Sequence, residues 1–198
     1  MQRIKDIRPI KRKLREKCKQ SRRELLPEQK NTADRKIRGK LLNLWLLRNA
    51  KTVLVYVSTE IEVDTRELIS ELFLRGVTVA VPKCEDALGN MSFYIIRSFD
   101  ELKKGFFGVL EPEPSQCEKL TDFSDSVCIV PAFMFDKKGF RLGYGKGYYD
   151  RFLADFPGTA LGICYNGEVC ERLYHGRFDR PVDMIVTDRQ IIDNRVIE

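Results

Sequence analysis

The sequence predicts one α/β domain with a largely parallel or mixed sheet, joined to a basic helical arm. Three observations point there. Apolar runs of strand length recur at 52–58, 127–131, 160–165 and 184–187. They are continuous rather than alternating, as in strands covered on both faces. Stretches of helical spacing separate them, and the strand–helix–strand unit over 52–81 has the length of a βαβ crossover. With 198 residues, 43% of them hydrophobic, the chain can bury the core of one such domain.

Residues 10–26 read as the first helix. Pro9 suits a first helical position, and Leu14, Cys18, Ser21 and Leu25 form a narrow, weakly apolar stripe. Lys11 and Arg15 are four apart, so they project from the same side. Pro27 interrupts. A second helix over about 28–48 sets Ile37, Leu41, Leu44 and Trp45 on one face. Residues 1–48 thus form the arm, and the whole of 1–198 is expected to be one unit. The run 52–58 is the first strand. Asp64 and Thr65 can cap a helix reaching about Arg75, with Leu68, Ile69 and Leu72 inward and Gly76 as its stop. Residues 77–81 make the next strand, ended by Pro82, and 91–96 an additional edge or hairpin strand. Residues 105–126, rich in Gly, Pro, Ser and acids, read as a long surface connection. A buried strand at 127–131 precedes a Gly-rich stretch, a helix around 147–155, and short strands at 160–165 and 184–187.

The net charge of +6 is unevenly placed. Residues 1–40 hold sixteen Lys/Arg against five Asp/Glu, a surplus of eleven, and the remaining 158 residues carry a net −5. A basic arm on a mildly acidic body suggests a polyanion: nucleic acid, a membrane surface or a phosphorylated ligand. No apolar stretch reaches the roughly 18 residues of a transmembrane helix, and the first forty residues lack the apolar core of a secretory signal. Asp6, Glu16 and Glu24 argue against a mitochondrial transit peptide. The six cysteines form no C-x-x-C pair and have no His cluster beside them, which fits free thiols in a reducing cytoplasm. The single histidine, His175, leaves little room for a Ser-His-Asp or Cys-His mechanism.

The densest chemical signal is Asp136-Lys-Lys-Gly-Phe-Arg-Leu-Gly-Tyr-Gly-Lys-Gly-Tyr-Tyr-Asp150. Gly143, Gly145 and Gly147 alternate with Tyr144 and Lys146. Such glycines let backbone N–H groups approach an anion, and Arg141 and Lys146 add positive charge. The spacing is neither a Walker A nor a Rossmann fingerprint. A flexible loop packed by tyrosines would share the spacing. Asp150 closes the motif and could hold Mg²⁺ beside bound phosphates, with Asp179 or Asp183 as a second carboxylate. Glu60 and Glu62, beyond the first strand, could accept from an N–H-rich heterocycle. Each of these acids could equally be a solvated turn or cap residue.

Taken together, these segments resemble the 5-formyltetrahydrofolate cyclo-ligase family over nearly the whole chain. The resemblance rests on Lys11-Arg-Lys-Leu-Arg15, on Tyr56-Val-Ser with Glu62-Val-Asp-Thr65, on Pro82, Met91 and Gly108 with Glu111-Pro112, on 130–150, and on Pro181-Val-Asp183 with Val186-Thr187. It implies a three-layer α/β/α fold with a mixed sheet. It also implies Mg²⁺- and ATP-dependent closure of 5-formyltetrahydrofolate to 5,10-methenyltetrahydrofolate, with release of ADP and phosphate. By matched position, Lys11, Arg12, Lys13, Leu14 and Arg15 would meet ATP, as would Arg141, Leu142, Gly143, Tyr144, Gly145, Lys146, Gly147, Tyr148 and Tyr149. Lys146 and Arg141 would be the catalytic cations, stabilising charge on the transferring phosphoryl group. Val57, Glu62 and Met91 would shape the folate pocket, with Tyr144, Gly145, Lys146, Gly147 and Tyr148 also meeting that substrate. Asp150 and Asp183 would bind Mg²⁺. One departure is Phe178-Asp179, where the family often has His-Asp.

The expected partners are therefore two small molecules, 5-formyltetrahydrofolate and ATP, acted on by a cytoplasmic monomer without nucleic acid or membrane. Two rival readings remain. One is a paralogue acting on another formyl or carboxyl substrate. The other is a nucleic-acid-binding module, for which the charge of the arm is the whole signal.

Overall fold

The continuous apolar runs pair side by side, as their lack of alternation requires. A computed structural model describes residues 6–105 and 108–195. In chain order the elements are α1 (Arg8–Arg23), α2 (Pro27–Asn43), α3 (Trp45–Asn49), β1 (Thr52–Val55), α4 (Arg66–Leu74), β2 (Thr78–Cys84), β3 (Met91–Ile96), β4 (Leu102–Lys104), β5 (Leu110–Pro112), β6 (Glu118–Lys119), β7 (Ser126–Pro131), β8 (Met134–Asp136), β9 (Arg141–Leu142), α5 (Tyr148–Ala154), β10 (Thr159–Ile163), β11 (Val169–Cys170), β12 (Met184–Val186) and β13 (Ile191–Asp193). The main sheet has the order β13-β12-β10-β7-β1-β2-β3-β6. Its five central strands are parallel, and β13 and β3 run against them. This is the mixed, mostly parallel sheet that was expected.

The two faces of the sheet are separately covered. On one, Val53, Val55 and Ile129 meet Ile37, Leu41, Leu47, Leu68, Ile69 and Leu72 from α2, α3 and α4. On the other, Leu54, Cys128 and Val130 meet Phe152 of α5 and Phe156 beyond it. Each fully buried Leu, Ile or Phe contributes about 1.5–3 kcal/mol by leaving water. Phe123, Phe152 and Phe156 pack as a cluster under α5, with ring centroids 5.0–6.1 Å apart.

Strand order reverses at β1. From β1 the chain crosses through α4 to β2 on one side, whereas β7 lies on the other. A crevice opens outside the carboxyl ends of strands at such a switch point. Tyr56 and Val57 leave β1 there, and β7 ends there at Pro131.

Several sequence expectations need correction. Strand β2 runs through Pro82 to Cys84. Its pairing with β1 stops at Ala80 and only β3 continues beside it, so Pro82 lies where half of the strand edge has no ladder to interrupt. The second helix breaks at Leu44, whose ψ of 132° is extended, and Trp45 is 74% exposed rather than inward. On α1, Cys18 and Arg22 are buried while Ser21 is exposed. The expected surface connection over 105–126 holds β5 and β6, with Glu111 and Cys117 buried. The sequence pattern predicts none of the strands β4, β8, β9, β11 and β13, each being two or three residues long. Residues 1–5 of the arm lie outside the described residues.

Candidate active site

The carboxyl ends of β1, β2 and β7 form the floor of a cleft of about 960 Å³. Its walls bring together Lys11 and Arg15 of α1, Val57 and Glu62 after β1, Pro82 and Met91 of the β2–β3 hairpin, and Arg141 with Gly143 to Asp150. These segments are far apart in sequence. The volume lies at the upper end of ordinary small-molecule sites.

The Gly-rich stretch is shaped by backbone that only glycine adopts easily. Gly145 has φ +94° and Gly147 has φ +76°, the latter opening α5. The loop is held from outside. Arg15 donates from Nε to the Gly143 carbonyl at 2.7 Å, and its guanidinium lies 3.0 Å from where a side chain at Gly145 would begin. Arg151 donates to the Lys146 carbonyl at 3.0 Å. The Tyr148 hydroxyl donates to the Asp86 carbonyl at 2.7 Å, tying the loop to the β2–β3 turn. Burial pushes the Tyr148 phenol up to about 12. Tyr149 is packed inward against the sheet, and its hydroxyl is buried with no hydrogen-bond partner among the described residues.

Arg141 is the buried cation of the site. Its side chain is 4% exposed, and it donates to Asp150 Oδ1 and to the Arg180 carbonyl, both at 2.7 Å. Burial lowers its pKa and Asp150 opposes that shift. Arginine stays protonated at neutral pH regardless.

Glu62 is pre-engaged. Its Oε2 accepts from the Thr59 N–H and hydroxyl, both at 2.8 Å, and its Oε1 accepts from the Tyr144 hydroxyl at 2.5 Å. Burial, and then the neighbouring carboxylate, pushes the Tyr144 phenol well upward. Tyr144 therefore bridges the Gly loop to the β1 loop as a neutral donor. Lys11 pairs with Asp179 at 2.6 Å. Burial pushes the Asp179 carboxyl up, but the Lys11 ammonium and the Gly176 N–H outweigh it, and the net shift is downward.

Not every expected residue reaches the cleft. Arg12 and Lys13 are exposed and point away from it. Leu14 and Leu142 pack with Cys18, Phe133 and Leu173 in a small apolar cluster that seats α1. Asp183 does not line the cleft; its Oδ2 accepts from the Ala160 N–H at 2.7 Å, between β10 and β12. Asp179, weighed as an alternative carboxylate, does line it. Among the described residues, no three His, Cys, Asp or Glu gather into a self-sufficient metal site. Asp150 suits a cation held mainly by phosphates: its Oδ1 is taken by Arg141 and the Arg180 N–H, while Oδ2 makes no hydrogen bond among the described residues.

Thr59 and Arg22 also take part, although the sequence pattern assigns neither a role. Thr59 had a local signal, since it stands three residues before Glu62 in a turn. Arg22 had none, because only tertiary packing buries it. His175 stacks on Phe140 at 3.6 Å, outside the cleft.

Comparison with known proteins shows the family and the fold. A model of the 5-formyltetrahydrofolate cyclo-ligase family matches residues 7–188. The Escherichia coli 5-formyltetrahydrofolate cyclo-ligase is 29% identical over 177 residues, which are 87% of this chain and 97% of that one. The solution structure of Aquifex aeolicus 5,10-methenyltetrahydrofolate synthetase matches with a TM-score of 0.83 at 33% identity, covering 96% of this chain and 95% of that one. A 5,10-methenyltetrahydrofolate synthetase from Mycoplasma pneumoniae matches with a TM-score of 0.69 at 26% identity, covering 90% and 99%. With a strand-end cleft walled by the Gly loop and the cations of α1, and a match spanning residues 7–188, the chain belongs to the 5-formyltetrahydrofolate cyclo-ligase family, a family of ligases.

Proposed function

We propose that the chain closes 5-formyltetrahydrofolate to 5,10-methenyltetrahydrofolate, using Mg²⁺ and ATP and releasing ADP and phosphate. The observation that carries this is the convergence of Lys11, Arg15, Arg141 and the Gly143-to-Gly147 loop on the cleft that also holds Glu62 and Met91. Three cations and a glycine backbone suit a triphosphate. The apolar, acid-bearing end suits a pterin with N–H donors.

In this mechanism the formyl oxygen attacks the γ-phosphorus, and the bond to the ADP oxygen breaks. The neighbouring folate nitrogen then attacks the formyl carbon and loses its proton. Phosphate leaves with the former formyl oxygen, and the five-membered ring is closed. No protein nucleophile is needed, so the chain's work is positioning and charge stabilisation. Lys146 and Arg141 stabilise charge on the transferring phosphoryl group. Lys11 and Arg15 hold the phosphates, which requires Lys11 to share or leave Asp179. Glu62 is turned toward the substrate by Tyr144 and Thr59, and Val57 and Met91 pack on the folate ring system. Asp150 would hold Mg²⁺ together with the phosphates, and the ion would supply neutralisation of the charge that develops on phosphoryl transfer. Asp183, whose Oδ2 accepts from Ala160, is outside the cleft lining, so this reading leaves it without a role toward the ion. The six free thiols support a reducing compartment such as the cytoplasm.

A substrate panel tests the assignment. ATP consumption is measured with 5-formyltetrahydrofolate, with other formyl compounds and with small carboxylates. Consumption restricted to the formylfolate supports the proposal, and preference for another acceptor overturns it.

A further inference from the structure

Helix α1 is seated by charge as much as by apolar burial. Lys11, Arg15, Cys18 and Arg22 recur at spacings of four, three and four, so they share one face. Only Cys18 and Arg22 are buried. Lys11 and Arg15 line the cleft, whereas Arg22 lies one to two turns beyond it.

The Arg22 side chain is 2% exposed, and Glu168 grips it through both oxygens, at 2.6 and 2.7 Å. The Tyr165 N–H in turn holds Glu168 at 3.1 Å. Arg22 also donates to the Ile61 carbonyl at 3.3 Å and to the Ala132 carbonyl at 2.7 Å. Its guanidinium faces the Phe133 ring at 5.4 Å. Two routes therefore run from this one group to Glu62. The first is direct, through the carbonyl of the preceding residue. The second passes through Phe133, which packs on Tyr144 with ring centroids 4.6 Å apart, and Tyr144 donates to Glu62. A buried ion pair is commonly no more stabilising than an apolar pair of the same volume. Stability alone does not account for this pair, whereas geometry does.

We propose that Arg22 is a positioning residue, which keeps the Glu62 loop and the Tyr144 loop in register with the cationic end of α1. Its kinetic consequences rest on the cyclo-ligase reading; its structural consequence does not.

The test uses the full chain carrying Arg22→Met and Glu168→Met together, with Arg22→Lys as a second variant should the pair fail to fold. Thermal unfolding, amide exchange at Thr59 and Glu62, and KM for both substrates are measured. The double variant also strands the Ile61 and Ala132 carbonyls and the Tyr165 N–H, so its melting temperature is expected to fall by several degrees. Exchange at the two amides should rise, and KM for the formylfolate should rise about tenfold against under about threefold for ATP. A purely structural pair would move the melting temperature alone. Parental exchange and parental KM in a folded variant overturn the proposal. If the unaltered chain makes no methenyl product, the cyclo-ligase reading fails, and amide exchange still decides the role of Arg22.

Discussion

The Arg141→Lys substitution keeps the positive charge at the cleft wall but removes the fork that carries it. Arg141 spans two acceptors, Asp150 Oδ1 and the Arg180 carbonyl, at 2.7 Å each. A lysine ammonium is a single point and can hold one of them. The lost charge-assisted bond, within a side chain 4% exposed, is worth about 1.5–3 kcal/mol. Asp150 is 25% exposed, so water can replace part of the loss, which places the cost near the lower end. At about 2–4 °C per kcal/mol for a chain of this size, the melting temperature should fall by about 3–6 °C. Under the proposed function turnover should fall further than stability does, by about tenfold or more, because Asp150, the proposed Mg²⁺ ligand, loses its restraint. Circular dichroism melts and product formation at saturating substrates measure the two effects. A melting temperature within about 1 °C of the parent, with unchanged turnover, would refute the assigned geometry.

The remaining expectations concern the loops and the arm. Tyr144→Phe removes the donor to Glu62, so KM for the formylfolate should rise by up to about tenfold while KM for ATP holds; steady-state kinetics with each substrate varied checks this. Arg15→Ala frees the Gly143 carbonyl and removes a cation from the proposed phosphate site, so KM for ATP should rise at least about tenfold, read by nucleotide titration. Asp179 has its pKa lowered in the fold, so its stabilising share is present above the ordinary carboxylate pKa of 3.8 and is lost as pH falls below it. Asp179→Asn should therefore flatten the acid limb of a stability-against-pH curve.

The fold was legible where the sequence pattern was strong. Continuous apolar runs marked the parallel strands β1, β7, β10 and β12, and Gly76 marked the end of α4. Short strands were not legible, because two or three residues carry no period; β9, which delivers Arg141, is Arg141–Leu142 alone. The cleft was half legible. Glycine alternation and the spacing of Lys11 and Arg15 pointed to it, and the fold placed both on its walls. Helix spacing already turns Arg12 and Lys13 away from the side that Lys11 and Arg15 share, but it could not show that the inward stripe of α1 includes Arg22 instead of Ser21. A charged residue is assigned to solvent by any hydropathy pattern, and only the partner Glu168, 146 residues away, makes its burial tolerable. For the same reason Asp183, engaged by a neighbouring strand, could not be separated from Asp179 by its chemistry. The surplus charge of the arm acquires a partial address: Lys11 and Arg15 belong to the cleft and Arg22 to the core.

The most direct measurement is the near-ultraviolet absorbance of the methenyl product, followed from 5-formyltetrahydrofolate with and without Mg²⁺ and ATP. Growth of that absorbance with Mg·ATP present, and none when the nucleotide is withheld, is the predicted result. No growth from folded protein supplied with both substrates and the metal would contradict the proposed function.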